Sequence, residues 1–301
     1  MERDIDIFTQ KYILDFFEKQ KILQIITNCD LFKSYRENIK KLDVPRWFKD
    51  DDLILFPNLI DIDCKHNPHL TSNSICKFTH LERLNCDKCP NIKNLNTLVN
   101  LKSLTCPLTQ ICDDDIIDLV NLTYLECWCS STITDKSISR FTNLQILECA
   151  MCTNITDNGI SHLHELVELN CRDNNKITGE CFKNLSSLMT LNCGNCPLIT
   201  DQAISVLKNL VDLVCDSCQI SHGISELYEL RSLTCDRCPV TDKYISGLKH
   251  LKRLACRHTN ISSSCIASFK NLKEIFCSEC VNISVEAKKY FEHTLHIQMY
   301  N

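Results

Sequence analysis

From residue 59 onward the apolar and polar positions of the chain recur with a single period. Leu59, Leu81, Leu101, Leu122, Leu144, Leu166, Leu188, Leu210, Leu230, Leu251 and Leu272 are anchors spaced 20 to 22 residues apart. One unit reads Leu188-Met-Thr-Leu191-Asn-Cys193-Gly-Asn-Cys196-Pro-Leu-Ile199-Thr-Asp201. Its first half alternates, which predicts a short strand with Leu, Leu and Cys turned inward. The second half is clearest in Thr156-Asp-Asn-Gly-Ile160-Ser-His-Leu163-His-Glu-Leu166, with apolar residues at i, i+3 and i+6. That spacing predicts a short helix whose first free amides Thr or Asp caps. One unit has no second layer to bury its apolar face against, so neighbours must stack and share a core.

A period of this length, with one strand and one helix per unit, is that of a leucine-rich repeat solenoid. The expected fold is α/β, a curved parallel sheet on the concave face with short helices on the convex face and a helical N-terminal cap. One place where units differ in length is the turn. Two residues separate the turn from the next apolar position in Cys152–Ile155, but one does in Cys218–Ile220 and Cys238–Val240. At the C-terminal end Val285–Phe291 predicts one more helix, and Leu295–Met299 a last strand over the open edge.

Residues 1–44 lack the repeat, and residues 45–301 form the expected repeat domain of about eleven units. In the N-terminal part Ile13, Leu14, Phe16, Phe17, Ile22, Leu23, Ile25, Ile26, Phe32 and Tyr35 recur at helical spacing. They predict a compact helical cap over the first repeat. The pattern also resembles an F-box, which docks a chain onto the Skp1-like adaptor of cullin-based ubiquitin ligases. In that reading Ile13, Leu14, Phe17, Ile22, Leu23 and Phe32 contact the adaptor. The Leu-Pro that usually opens the motif is absent, with Ile7-Phe8 near its place. Plain cap and F-box both stay open on the sequence. Repeat-like spacing already begins at Ile39-Lys-Lys-Leu42-Asp-Val44, followed by Pro45 and the helix-starting Asp50–Asp52.

Charge narrows the partners. A net charge of −5 gives no case for nucleic acid or an anionic membrane. No run of eighteen apolar residues exists, and the start Met1-Glu-Arg-Asp-Ile-Asp lacks a basic region before an apolar core, so a cytoplasmic location is expected.

The 23 cysteines suggest disulfides or metal until they are placed. One column is invariant: Cys64, Cys86, Cys106, Cys127, Cys149, Cys171, Cys193, Cys215, Cys235, Cys256 and Cys277. Three residues on, at the turn, stand Asn67, Cys89, Thr109, Ser130, Cys152, Asn174, Cys196, Cys218, Cys238, Thr259 and Cys280. The segment Cys193-x2-Cys196-x18-Cys215-x2-Cys218 fits the spacing of a four-cysteine zinc site. A structural ladder explains it better. Cysteine packs as a small hydrophobe, and Asn, Thr and Ser substitute for it where a turn needs a hydrogen bond, which a zinc site would not tolerate. No metal or other cofactor is expected. So many free thiols favour a reducing compartment.

Leu-x-x-Leu-x-Cys-x-x-Cys/Asn followed by Ile-Thr-Asp resembles the cysteine-containing class of leucine-rich repeats, over about three quarters of the chain. That class is common in F-box/LRR proteins, which hold substrates for ubiquitination on the repeat surface. The present units are shorter than is usual for it. Short units of this kind also occur in leucine-rich repeat proteins of amoebae and of the giant viruses that infect them. The resemblance implies a substrate-recruiting receptor of a cullin-based ubiquitin ligase; the alternative is a stand-alone interaction scaffold. A monomer is expected.

Catalysis finds no support: the histidines are scattered, no Gly-rich phosphate loop exists, and Asp113–Asp115 reads as a helix start. Function falls to the outward strand positions. Most units place Asp, Asn, Thr, Ser, Lys or Arg there, but two adjacent units carry Tyr124, Glu126, Trp128, Ile146, Glu148 and Met151, with Leu108 alongside. Large apolar groups beside carboxylates mark a partner-binding patch. Arg237, Arg253 and Arg257 are the next candidates.

Overall fold

A computed structural model describes residues 36–293 and 298–300. The chain divides into two compact units, residues 1–126 and 127–301. The first holds parallel strands β1 (Lys41–Asp43), β2 (Asp61–Asp63), β3 (Arg83–Asn85), β4 (Ser103–Thr105) and β5 (Tyr124–Glu126). The second holds β6 (Ile146–Glu148), β7 (Glu168–Asn170), β8 (Thr190–Asn192), β9 (Asp212–Val214), β10 (Ser232–Thr234), β11 (Arg253–Ala255), β12 (Glu274–Phe276) and β13 (Gln298–Tyr300), also parallel. A short helical segment follows each strand before β13, in the leucine-rich repeat arrangement expected from the period.

The register is in phase within each unit. In the first unit Leu42, Ile62, Leu84, Leu104 and Leu125 are laddered in sequence; in the second, Leu147, Leu169, Leu191, Leu213, Leu233, Leu254 and Ile275 are. These residues, the anchor leucines and the invariant cysteines are all buried. Each fully buried Leu contributes about 1.5–3 kcal/mol of transfer free energy, so the stacked rungs are the main stabilising term.

Strands β2 to β12 end the same way. His66, Lys88, Leu108, Cys129, Met151, Asp173, Asn195, Ser217, Arg237, His258 and Glu279 are left-handed, with φ between 52 and 61°. None is glycine. A left-handed L-residue costs about 1–2 kcal/mol, and here the stacking holds it. The amide of Asn195, for example, donates to the carbonyl of Asp216 in the next repeat at 2.8 Å, and that of Cys196 closes back on Cys193 at 3.2 Å.

The helical halves are shorter and less uniform than the periodicity implies. Most span four to six residues, and Leu95–Thr97, Glu180–Asn184 and His222–Glu226 are 3-10 turns. Thr134, Thr156 and Thr200 cap their helices as expected, by accepting the amides of Lys136, Asn158 and Ala203. Thr241 makes no such bond. The terminal helix runs over Val285–His293, and the last strand is Gln298–Tyr300, offset from the expected Leu295–Met299. The pattern Ile13–Tyr35, with its six proposed adaptor contacts, lies outside the described residues; residues 36–38 are helical.

Candidate partner-binding face

In every regular strand the middle residue is buried and most of its neighbours are only partly covered. The partly covered positions, together with the left-handed turn, form an open sheet face whose chemistry is set repeat by repeat. The predicted site residues fall into two groups. Leu108, Tyr124 and Glu126 belong to the first unit; Trp128, Ile146, Glu148 and Met151 belong to the second. Leu108 and Met151 are at the left-handed turn, 46% and 49% exposed, and so beyond the strand itself. Tyr124 and Glu126 flank buried Leu125, and the Tyr124 hydroxyl donates to Glu126 Oε2 at 2.9 Å. Thr105 Oγ1 donates to the same oxygen at 3.4 Å.

In the second unit Ile146 and Glu148 flank buried Leu147, and Asn170 Nδ2 donates to Glu148 Oε2 at 2.7 Å. Trp128 is half-buried in the turn after Cys127. Beside it the Cys129 amide bonds the Ala150 carbonyl at 2.9 Å, and the Cys129 and Met151 sulfurs are 3.5 Å apart. The turns of these two repeats therefore lie against each other, and both carboxylates are oriented by polar neighbours.

Further along the same unit the face becomes ionic. Arg172 reaches across a whole repeat to Asp216, its two terminal nitrogens 2.7 and 2.9 Å from the two carboxylate oxygens. This bidentate geometry needs Gly194 beneath it, since a Cβ there would collide with the guanidinium and lie 2.6 Å from Asp216 Oδ1. Arg257 Nε is 3.1 Å from Asp236, and Arg253 Nε is 3.5 Å from Glu274. Both guanidiniums lie over Phe276, at 5.6 and 5.2 Å from the ring centre, where the ring quadrupole attracts a cation.

Beneath the face the two cysteine columns form one interior. The turn column is buried except at half-exposed Thr109. Its cysteines donate backward: Cys89, Cys152, Cys196, Cys218, Cys238 and Cys280 lie 2.9–3.1 Å from the strand-column carbonyls of Cys64, Cys127, Cys171, Cys193, Cys215 and Cys256. Asn174 substitutes by donating to the Cys152 carbonyl at 2.8 Å, whereas Thr109 and Thr259 close onto their own strand cysteines. The contact between paired thiols, together with burial, pushes Cys193 and Cys256 well up, and the same contact holds Cys218 and Cys280 below the ordinary thiol range. Among the described residues no group of three or more His, Cys, Asp or Glu side chains is placed to hold a metal ion. In the same residues no helix is long and apolar enough to cross a membrane.

Two ladders escape the sequence reading. On the helical side an Asp at the helix start grips the next repeat. Asp135 accepts from the amide and hydroxyl of Thr156 at 2.8 and 2.6 Å, and Asp242 from those of Ser262 at 2.8 and 2.6 Å. Asp50, Asp157 and Asp201 do the same. Beside the anchors Asn58, Asn100, Asn121, Asn209 and Asn271 donate to carbonyls of the preceding repeat. The Asp of Thr-Asp and the Asn of Asn-Leu repeat visibly in the sequence. Their partners are in another repeat, so spacing alone reads them as caps and loop residues.

No family model matches the sequence, and no curated protein matches it. Solved structures do. An internalin from Listeria monocytogenes is similar at a TM-score of 0.68 with 17% identity, over 96% of this chain and 92% of that one. The functional domain of InlJ from Listeria monocytogenes, described as including a cysteine ladder, is similar at 0.60 with 26% identity, over 78% of this chain and 56% of that one. The mouse RP105/MD-1 complex gives 0.62 with 17% identity, over 83% and 51%. The chain thus spans about half the length of the latter two.

Proposed function

We propose that the chain is a protein-binding scaffold that works through the open face of its sheet. The observation that carries this is the division of labour across each strand. Leu, Leu and Cys face inward in an almost fixed sequence, whereas the outward positions vary from repeat to repeat and include large apolar groups. A surface free to vary on a fixed frame suits recognition. In the second unit we assign a patch of Trp128, Ile146 and Met151 with Glu148; in the first unit we assign, separately, Leu108, Tyr124 and Glu126. Buried aromatic anchors carry most of the energy of an interface, and truncating one costs about 2 kcal/mol or more. Trp128→Ala is therefore expected to weaken a captured protein partner by about tenfold or more while leaving the thermal midpoint nearly unchanged. A large drop in stability would make Trp128 a core residue and dissolve the patch; equal binding by variant and parent would move the partner elsewhere.

The finer form of the proposal is a substrate-recruiting receptor of a cullin-based ubiquitin ligase in the cytoplasm. Its support is the F-box-like pattern Ile13–Tyr35 and the cysteine-containing repeat class. In that form a Skp1-like adaptor co-purifies with the parent chain, and Ile22→Asp with Leu23→Asp abolishes this without changing the unfolding of the repeats. Absence of any adaptor on the parent chain would leave the stand-alone scaffold.

A further inference from the structure

Residues 230–273 carry nine lysines and arginines against two aspartates, a local charge of +7 in a chain whose net charge is −5. Three of the cations are stacked. Arg231, Lys252 and Lys273 stand at the same phase just before β10, β11 and β12, and all are exposed. The Lys252 amide donates to the Arg231 carbonyl at 2.7 Å, and the Lys273 amide to the Lys252 carbonyl at 2.8 Å. Like charges thus follow one another at the strand spacing of about 4.8 Å, a directly unfavourable arrangement in the free protein. Beside them Arg253 and Arg257 are braced against Phe276, and their side chains remain 51% and 44% exposed. Their carboxylate partners Glu274 and Asp236 fix the two guanidiniums at Nε, and with Glu274 counted the local excess is still six.

We infer that this end of the second unit's sheet face holds an acidic segment of a protein partner, an inference that rests on the sheet face being a protein-binding surface. An anion relieves the repulsion within the cation column, and braced guanidiniums meet carboxylates with little ordering cost. The column from Arg231 to Lys273 covers two strand spacings, about 10 Å, the reach of about three residues of extended chain. The ligand is therefore a short run with acidic residues clustered within about five positions. Single-stranded nucleic acid fits less well, because it needs open aromatic platforms. The aromatic residue carried by β9–β12 is Phe276, and its ring is covered by two guanidiniums.

The test uses fluorescence anisotropy on the full chain with a short glutamate-rich peptide, its glutamine counterpart and a single-stranded oligonucleotide of equal charge. The glutamate peptide is expected to bind about tenfold or more tightly than the glutamine one, with an affinity that falls as salt rises. Lys252→Glu with Lys273→Glu removes this binding without lowering the thermal midpoint, whereas Lys183→Glu on the helical side does not affect it. If both double and control variants lose binding alike, if the oligonucleotide binds more tightly than the peptide, or if no probe binds at low salt, the inference is overturned. Loss of partner capture in Trp128→Ala with no peptide binding would retain the scaffold function and reject the acidic ligand. Peptide binding without a Trp128 effect would do the reverse for the proposed patch.

Discussion

Two glycines of the second unit permit the same substitution to be tried against two kinds of neighbour. A Cβ on Gly223 would run into the backbone of Asp201, colliding with its carbonyl oxygen and lying 2.8 Å from its Cα. The backbone of the preceding repeat is locked there, because the Ser221 and Gly223 amides each donate to Asp201 Oδ1 at 2.7 Å. Overpacking of this kind costs about 1–3 kcal/mol, and losing a hydrogen bond to a charged group costs about 1.5–3. Against this, Gly→Ala returns about 0.4–1 kcal/mol by restricting the unfolded chain. Gly223→Ala should therefore destabilise by about 3 kcal/mol. On Gly194 the Cβ meets only the tips of two side chains, Arg172 and Asp216, at a surface where the pair is 37% and 18% exposed. Those tips swing aside, and a partly exposed ion pair contributes about 1 kcal/mol at most. Gly194→Ala should stay within about 1 kcal/mol of the parent. Urea denaturation followed by circular dichroism reads both, provided the slope with urea is unchanged. A neutral Gly223→Ala, or a Gly194→Ala as damaging, would refute the stitched packing of these repeats.

Cys193→Ser places a hydroxyl in a fully buried, largely apolar rung. We expect a loss of about 1–3 kcal/mol, and an unchanged urea midpoint would put the strand column at the surface. Ser217 occupies the left-handed turn at φ 60°, so Ser217→Gly should raise stability by up to about 1 kcal/mol; a fall would mean that the hydroxyl, not the backbone, is what the position needs. Burial raises the carboxyls of Asp50, Asp157 and Asp201, but the donors of the next repeat outweigh it and hold all three below the ordinary carboxylate range. A depressed folded-state pKa gives stability that is complete above the unfolded value near 3.8 and is lost as pH falls through the folded one. The thermal midpoint should accordingly fall below about pH 4, and Asp201→Asn should lower it at pH 7 while flattening the acid loss; an acid limb of the same steepness in the variant would assign the loss to other carboxylates.

The repeat, its strand phase and its inward cysteine column were legible in the sequence because they are periodic and local. Leu188, Leu191 and Cys193 alternate along one strand, and alternation alone decides which face of a strand is buried. The chain also displayed Thr156 as a cap, since that follows from position within one unit. What lies between units was not legible. The Asp135–Thr156 grip, the Cys218 thiol donating to the Cys193 carbonyl and the reach of Arg172 over Gly194 to Asp216 join residues 21 to 44 positions apart. Each depends on the distance that stacking imposes between repeats, which no single unit encodes. The left-handed turns make the same point. His66, Met151 and Arg237 are residues that would avoid that conformation by themselves, and they adopt it because the amide of each is captured by the next repeat. Local pattern determined what each repeat is; only the stacked structure decided how one repeat holds the next.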